Sequence, residues 1–362
     1  MPEKPIKGDK RYFMTGNEVV AYAAVMANAD IMYGYPITPQ NEIMHYWTRM
    51  APKYGKEFLQ TEDELSAGFT TVGGVLAGRK AFTATAGPGN TLMQEPISMA
   101  EAMRLPIVVA VQQRGGPSTA TVIYSQQEVT LTTIGGNGEG FRIVYSTATH
   151  QELFDYTIKA FNTAWKYRFP TFILGDGYQA KMRESLTMYD PESRGIEMVS
   201  PEAYVGMPGT PGIDRPPGQY RNTYNVEEEL YEVLQQYQKE YEAIAPEVAE
   251  FESLGAEDSD LVVVSHGVVS RAVKEAVAEL RAAGVKVGYF RPITLRPMPE
   301  KQLREVANKA KTLLIAESAI GQLARLVKDS IYGCSAEIVS LFKPGVGITA
   351  EEVSAKVKSI LG

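Results

Sequence analysis

The sequence predicts a two-part α/β protein: a doubly wound parallel sheet, then a second, smaller α/β unit. Three observations predict it. Short apolar runs alternate with helix-length runs through residue 188, the pattern of parallel strands joined by crossover helices. Residues 105–112 are almost purely apolar and β-branched, as a strand covered on both faces requires. The alternation then stops at a Pro/Gly-rich stretch and resumes near Asp260. The expected divisions are a first domain over residues 1–188, a linker with an acidic amphipathic helix over 189–255, and a second domain over 256–362.

Each element has a local reason. Thr15-Gly16-Asn17-Glu18 fits a capping box, opening an alanine-rich helix over 19–28. Residues 31–33 read as a short strand that enters the run M-Y-G-Y-P-I-T-P-Q-N. Its two prolines stiffen a turn, and Thr38 before Pro39 suits an N-cap followed by a first helical residue. The helix beyond carries Ile43, Trp47 and Met50. A helix N-terminus just past a strand end also attracts anions. Thr38 therefore caps this helix, binds an anionic ligand, or does both.

Residues 56–60 form the next strand and run into Thr61-Glu62-Asp63-Glu64. The small residues of 65–78 let a helix lie close to a neighbouring backbone. A strand at 81–85 ends in the tight turn Ala86-Gly87-Pro88-Gly89-Asn90, followed by a helix over 91–101. The strand at 105–112 ends in the loop Arg114-Gly115-Gly116-Pro117-Ser118-Thr119. A strand at 141–145, a helix at 150–167 and a strand at 170–174 complete the unit at Gly175-Asp176-Gly177. Ligands of such sheets sit beyond the strand carboxyl ends. Residues near 34–38, 61–64, 86–90 and 113–119 all lie there.

Residues 189–225, with P-G-T-P-G and R-P-P-G, read as a linker or an ordered surface loop. Leu230, Val233, Leu234, Tyr237, Tyr241 and Ile244 make one stripe of a helix over 226–250, whose other face is acidic and solvated. The second unit has strands at 261–265, 285–290 and 312–316, and helices at 269–283 and 320–331.

Composition narrows the function classes. The chain has 362 residues, 44% of them hydrophobic, and a net charge of −7. That balance suits an ordinary globular protein and argues against nucleic acid or an anionic membrane as the main partner. There is no run of membrane-spanning length and no secretory leader pattern, so the cytoplasm is the expected location. The single cysteine, Cys334, cannot hold an iron–sulfur cluster, a zinc ion or an internal disulfide. His45, His150 and His266 lack metal-ligand spacing. No metal site is expected on this chain, so any redox metal belongs to another polypeptide. Cys334 is expected to be a small buried hydrophobe, and His266 a hydrogen-bonded structural residue.

From the residues alone, Glu64 is either part of a solvated acidic turn or a buried carboxylate tuned for proton transfer. Arg114 is either half of a surface ion pair or a glycine-loop guanidinium that grips a carboxylate. Gly87-Pro88-Gly89-Asn90 is a weak phosphate-loop signal, because it lacks the lysine of a P-loop.

G-Y-P-I-T-P, E-D-E-L-S-A-G and Q-R-G-G-P-S-T together resemble the alpha (pyrimidine-domain) subunit of 2-oxoacid:ferredoxin oxidoreductases. These are thiamine diphosphate and iron–sulfur enzymes. R-P-I-T-L-R-P-M-P and E-S-A-I-G-Q-L resemble a transketolase-C-terminal-type domain. The resemblance covers most of the chain. It implies a thiamine-enzyme pyrimidine-binding domain followed by a transketolase-C-terminal-like domain. Glu64 would hydrogen-bond the cofactor's aminopyrimidine ring and activate it, with Glu62 the weaker candidate. Arg114, Gly115 and Thr38 would bind and orient the substrate. Pro36, Ile37, Gly87, Pro88, Gly89 and Asn90 would lie beside the cofactor ring.

The implied reaction is oxidative decarboxylation of a 2-oxoacid with coenzyme A, giving acyl-CoA, carbon dioxide and reduced ferredoxin. Branched-chain 2-oxoacids are slightly favoured, then 2-oxoglutarate, then pyruvate. Gly175-Asp176-Gly177 opens the metal–diphosphate motif of thiamine enzymes, but no Asn lies between Gly177 and Pro217 to complete it. Asp176 is therefore read as a strand-end turn. Thiamine diphosphate would be shared with a beta subunit that carries its diphosphate and magnesium. The 4Fe–4S iron–sulfur clusters would sit on partner subunits, with gamma and ferredoxin-like delta subunits completing a dimer of heteromers. Gly136-Asn137-Gly138-Glu139 stands where the family's G-x-H-G-like segment is expected, which leaves that histidine's role unfilled. The competing readings are a non-redox thiamine-dependent transketolase or synthase component, and an inactive structural subunit.

Overall fold

The chain builds three sheets, seen in a computed structural model that describes residues 6–206 and 220–362. The largest sheet has seven strands in the order Thr294–Arg296, Ile143–Ser146, Thr171–Asp176, Val108–Gln113, Ala81–Thr85, Ile31–Gly34, Glu57–Gln60. Neighbours run parallel except Thr294–Arg296, which is antiparallel to Ile143–Ser146. Val108–Gln113 is buried at every position, as its apolar run Val108–Val111 requires, and the buried Gln112 and Gln113 close it. From Ile31–Gly34 the chain crosses to Glu57–Gln60 on one side and then returns to Ala81–Thr85 on the other. The crevice at that reversal is where doubly wound sheets bind ligands.

Helices cover both faces. The capping box forms as expected: Thr15 Oγ1 accepts from Glu18 N–H, and Thr15 N–H donates to Glu18 Oε2 at 2.8 Å. The helix it opens, Gly16–Met26, is buried on nearly every face and packs against His150–Tyr167. Val20, Met26, Trp47, Phe82, Phe154 and Phe161 belong to this apolar layer. On the opposite face, Val75, Ile97, Val109 and Phe172 share one apolar layer with Val262, Phe290 and Leu323 of the second unit. The small-residue helix is Glu64–Leu76, and a Cβ on Gly68 would lie 2.3 Å from Pro96 Cγ, so its close approach depends on glycine.

The second sheet has the order Glu337–Phe342, Thr312–Glu317, Leu261–Val264, Val287–Pro292, Phe251–Leu254. Only the last strand is antiparallel to its neighbour.

Several features depart from the sequence reading. Lys10–Thr15 pairs with Arg183–Met188 as an antiparallel ribbon, although neither run alternates cleanly. Thr294–Arg296 leaves the second unit to edge the first sheet. The helix expected over 91–101 is split into Pro88–Leu92 and Gln94–Ala102. The acidic helix, Glu227–Val248, packs on the first unit: Tyr241 is buried and its hydroxyl donates to Arg142 O at 2.6 Å. The P-G-T-P-G and R-P-P-G segments lie outside the described residues. Cys334 is half-buried beside the shared apolar layer, less enclosed than expected. Among the described residues, no helix is long and apolar enough to cross a membrane.

Candidate active site

The site grows from the carboxyl ends of four neighbouring strands: Ile31–Gly34, Glu57–Gln60, Ala81–Thr85 and Val108–Gln113. The first leads into the Pro36–Pro39 turn. Here the capping expectation for Thr38 is corrected. The helix is Asn41–Met50, its N-cap is Gln40, and no side chain caps it. A long-range contact overrides the local signal: Asn17 Nδ2 donates to Pro39 O at 2.7 Å and to Glu42 Oε2 at 2.9 Å, holding that carbonyl outside the helix. The Thr38–Pro39 peptide is cis. Thr38 and Pro36 are exposed and Ile37 is half-buried.

The second strand end leads to the acidic run, where the fold separates three carboxylates. Asp63 caps the helix by accepting from Ser66 N–H at 2.7 Å. Glu62 is exposed and accepts from Ser66 Oγ. Glu64, the first helical residue, turns inward and is 4% exposed. Burial pushes its carboxyl above the usual range. Asp63 adds to the rise, while the residue's own N–H and Arg114 oppose it.

The third strand end carries the glycine turn. Gly87 has φ +54° and ψ −123°, a conformation that favours glycine. A Cβ there would lie 2.4 Å from Arg114 Nε. A Cβ on Gly89 would lie 2.5 Å from Glu64 Oε1 and 2.3 Å from Thr85 Oγ1. Glu64 thus rests on Gly89, Arg114 rests on Gly87, and one turn carries both.

Arg114 is 2% exposed. Its side chain donates to main-chain carbonyls: Nη1 to Thr38 O at 3.0 Å and Nη2 to Thr119 O at 2.9 Å. Nε has no partner among the described residues. A surface ion pair does not describe this residue. Burial lowers its pKa, against the opposing pull of Glu128 and Glu64. Gly115 is buried beside it, with its N–H donating to Ile123 O at 2.5 Å.

Glu128 is the site residue that sequence reasoning missed. Its Oε2 accepts from Arg114 N–H at 2.8 Å and its Oε1 from Asn90 Nδ2 at 3.1 Å. Gly87 N–H also donates to it. Burial pushes this carboxyl up, and those donors oppose the rise. The run S-Q-Q-E-V-T has no spacing motif; its one signal is a lone carboxylate at the head of an apolar helix.

The second unit holds this loop in place. Ser125 Oγ donates to Ser318 O at 2.6 Å, Ser318 N–H to Gln126 Oε1 at 3.0 Å, and Gln322 Nε2 to Gln127 O at 2.8 Å. Gln126 Nε2 donates to His266 O at 2.9 Å. His266 is fully buried with Nδ1 2.9 Å from Ser146 Oγ, and burial pushes its pKa down to about 3, so the ring is neutral.

Asp176 ends its strand by capping the helix Gly177–Lys181. Oδ1 accepts from Gln179 N–H at 3.1 Å and Oδ2 from Val268 N–H at 3.3 Å. Among the described residues, no cluster of three or more His, Cys, Asp or Glu side chains is placed to hold a metal ion. Gly136, Asn137, Gly138 and Glu139 form an exposed loop beside buried Arg142, which pairs with Glu101 and donates to Gly135 O at 2.7 Å.

These residues fit the ring half of thiamine diphosphate. Glu64 is a dry carboxyl, the Gly87 turn is a close main-chain wall, and Arg114 Nε is a buried donor with no partner among the described residues. Leu59, Leu65 and Phe69 stay exposed in a hollow lined also by Thr61 and Glu62. A cavity of about 830 Å³ between the acidic helix and residues 295–302 shares none of the site residues.

The pyruvate flavodoxin/ferredoxin oxidoreductase thiamine-diphosphate-binding family matches residues 22–253, and pyruvate:ferredoxin oxidoreductase core domain II matches residues 259–354. The chain is 34% identical over 349 residues to the ketoisovalerate oxidoreductase subunit VorB of Methanothermobacter marburgensis, covering 96% of this chain and 97% of that one. It is 35% identical over 329 residues to the 2-oxoglutarate synthase subunit KorA of Methanocaldococcus jannaschii, covering 86% and 89%. A 2-oxoglutarate:ferredoxin oxidoreductase from Magnetococcus marinus, solved with 2-oxoglutarate, coenzyme A and succinyl-CoA bound, matches with TM-score 0.86 and 26% identity. That match covers 97% of this chain, which spans 65% of the other. A split-gene transketolase shares the fold with TM-score 0.58 at 15% identity, covering 96% and 98%. The two α/β units are accordingly a thiamine-enzyme pyrimidine-binding domain and a transketolase-C-terminal-like domain. On its matched length and the identity of its relatives, the chain belongs to the pyruvate flavodoxin/ferredoxin oxidoreductase family, as an alpha-type subunit of the 2-oxoacid:ferredoxin oxidoreductases.

Proposed function

We propose that this chain is the alpha subunit of a heteromeric complex that converts a 2-oxoacid and coenzyme A to acyl-CoA, carbon dioxide and reduced ferredoxin. One observation carries the reading: buried Glu64 and buried Arg114 rest on the same glycine turn beyond the strand ends. Thiamine diphosphate, when bound, supplies the electron sink that lets a 2-oxoacid lose carbon dioxide. Glu64 holds and returns a proton at the cofactor's ring nitrogen, a role that suits a carboxyl whose pKa is raised by burial. Arg114 meets the substrate carboxylate, and the exposed Thr38 hydroxyl orients its carbonyl. Gly115 lets the Arg114 loop turn close to the substrate. The Pro36–Pro39 turn and the Gly87 turn wall the ring, and buried Asn90 backs the Gly87 turn through Glu128 and Thr132.

The branched-chain preference draws on exposed Val122 and Ile123 in the Arg114 loop, which offer an apolar wall to a substrate side chain. 2-Oxoglutarate and then pyruvate follow. The divisions 1–188, 189–255 and 256–362 stand as our reading of the domains, with residues 294–296 crossing back to the first sheet. We assign the diphosphate and magnesium to a beta subunit, because Asp176 Oδ1 caps the helix Gly177–Lys181 and Oδ2 accepts from Val268 N–H of the second unit. The exposed Leu59, Leu65 and Phe69 beside Glu64 suit a surface that this subunit covers. The iron–sulfur clusters belong to gamma and delta partners, the complex is a dimer of heteromers, and its location is the cytoplasm.

The test uses the copurified complex and reduction of a viologen dye by three substrates: 3-methyl-2-oxobutanoate, 2-oxoglutarate and pyruvate. The expected result is reduction that depends on coenzyme A, in a complex with iron–sulfur absorption. Turnover of 2-oxoacids without iron or dye reduction would establish the non-redox synthase instead. A complex inert toward every 2-oxoacid would establish the structural subunit.

A further inference from the structure

We infer that Glu128 is a positioning residue for Arg114: it ties the root of the arginine to the glycine turn and so sets where the guanidinium meets a 2-oxoacid carboxylate. The inference rests on the reading of Arg114 as the substrate clamp.

Glu128 is 4% exposed, and the groups that donate to it come from two separate segments. Arg114 N–H belongs to one; Gly87 N–H and Asn90 Nδ2 belong to the other. The gap between those segments is filled by the side chain of Arg114 itself, whose Nε would lie 2.4 Å from a Cβ on Gly87. The carboxylate therefore fixes the width of the slot in which the guanidinium lies. The far end of the same side chain is fixed by Thr38 O and Thr119 O. With root and tip both held, the guanidinium is fixed in place, and Nε–H is its one nitrogen without a partner among the described residues. Such preorganisation matters because a displacement of about 1 Å costs on the order of 10²-fold in rate.

Glu128 acts as an acceptor toward every one of these donors. Glutamine at this position would turn an N–H₂ group toward at least one of them, leaving two donors face to face. The slot would widen on that side while the charge and fork of Arg114 remain.

The experiment compares Glu128→Gln, Arg114→Ala and the double variant in the assembled complex. It measures kcat and KM for the 2-oxoacid, KM for coenzyme A, and the calorimetric Kd for the matching 2-hydroxyacid. That analogue carries the carboxylate but cannot be decarboxylated. The expected result for Glu128→Gln is a fall of roughly 10- to 100-fold in kcat/KM for the 2-oxoacid, a raised analogue Kd, and an unchanged KM for coenzyme A. In the Arg114→Ala background the same substitution should add nothing further. Should Glu128→Gln fail to assemble, Glu128→Asp is read the same way, since it keeps the charge but withdraws it by one methylene. Unchanged kcat/KM and Kd, or effects that add to those of Arg114→Ala, would overturn the inference. A crippled Arg114→Ala beside a normal Glu128 variant overturns this inference alone. A normal Arg114→Ala overturns the clamp reading as well.

Discussion

Replacing Glu64 by glutamine separates the chemistry of this site from its packing. The side chain is 4% exposed, and its Oε1 sits where a Cβ on Gly89 would approach to 2.5 Å. Glutamine has the same heavy-atom outline, so the turn at Gly89 has no reason to move. The effect on the fold has a definite sign. Burial raises the folded-state pKa of Glu64, so its contribution to stability is full below the ordinary carboxylate pKa and is lost as pH rises through the raised value. An amide never ionises, so at neutral pH the variant should unfold no earlier than the wild type.

The effect on chemistry has the opposite sign. A positioned general acid–base group contributes roughly 10²–10⁴-fold. At about 1.36 kcal/mol per decade, that is about 2.7–5.4 kcal/mol on the barrier. The assay is exchange of the thiazolium carbon proton with deuterated solvent in the assembled complex, followed by NMR after acid quench. Glu62→Gln is the control and should be silent, because Glu62 is exposed and points to Ser66. A Glu64→Gln complex with full cofactor occupancy and wild-type exchange would remove Glu64 from the mechanism.

Gly89→Ala should slow turnover in an assembled complex, because the new methyl claims the space of Glu64 Oε1 and Thr85 Oγ1; full activity would show the contact to be slack. Arg114→Ala should lower kcat/KM by roughly 30- to 5,000-fold, the range for losing one side of a buried charge-assisted pair at about 2–5 kcal/mol. Arg114→Lys should fall between, keeping the charge but losing the fork; wild-type kinetics in both would deny Arg114 any substrate contact. The isolated chain should bind thiamine diphosphate poorly, and micromolar calorimetric affinity for cofactor and magnesium would refute a shared site. His266 has a folded pKa of about 3, below its ordinary value, so its contribution to stability is present above about pH 6.5 and is lost as pH falls toward 3. Urea unfolding of wild type should weaken through that window by up to about 1.4 kcal/mol per pH unit more than His266→Gln. Parallel acid profiles would show that the histidine is not buried neutral.

What the sequence determined by itself was the part written in local patterns. The β-branched run became Val108–Gln113, Thr15 and Glu18 made their capping box, and the helix His150–Tyr167 came out at its expected bounds. These are legible because neighbours a few residues apart decide them. The strand ends that crowd Thr38, Glu64, Gly87 and Arg114 together were legible for the same reason. Tertiary structure decided the rest. Within one acidic run, only the Asp63 cap and the wall of Gly89 sent Glu64 inward and left Glu62 outside. Thr38 had the right local chemistry for a cap, yet Asn17, 22 residues from Pro39, captured the turn. Glu128 meets Arg114 across 14 residues and Asn90 across 38, separations at which no motif can be seen. Residues 294–296 read as part of the second unit and became an edge of the first sheet. Apart from the Asp63 cap, the deciding partner in each case is remote in sequence. Hydrogen bonds and close contacts between distant segments exist only after the chain has folded, so a linear pattern carries no trace of them.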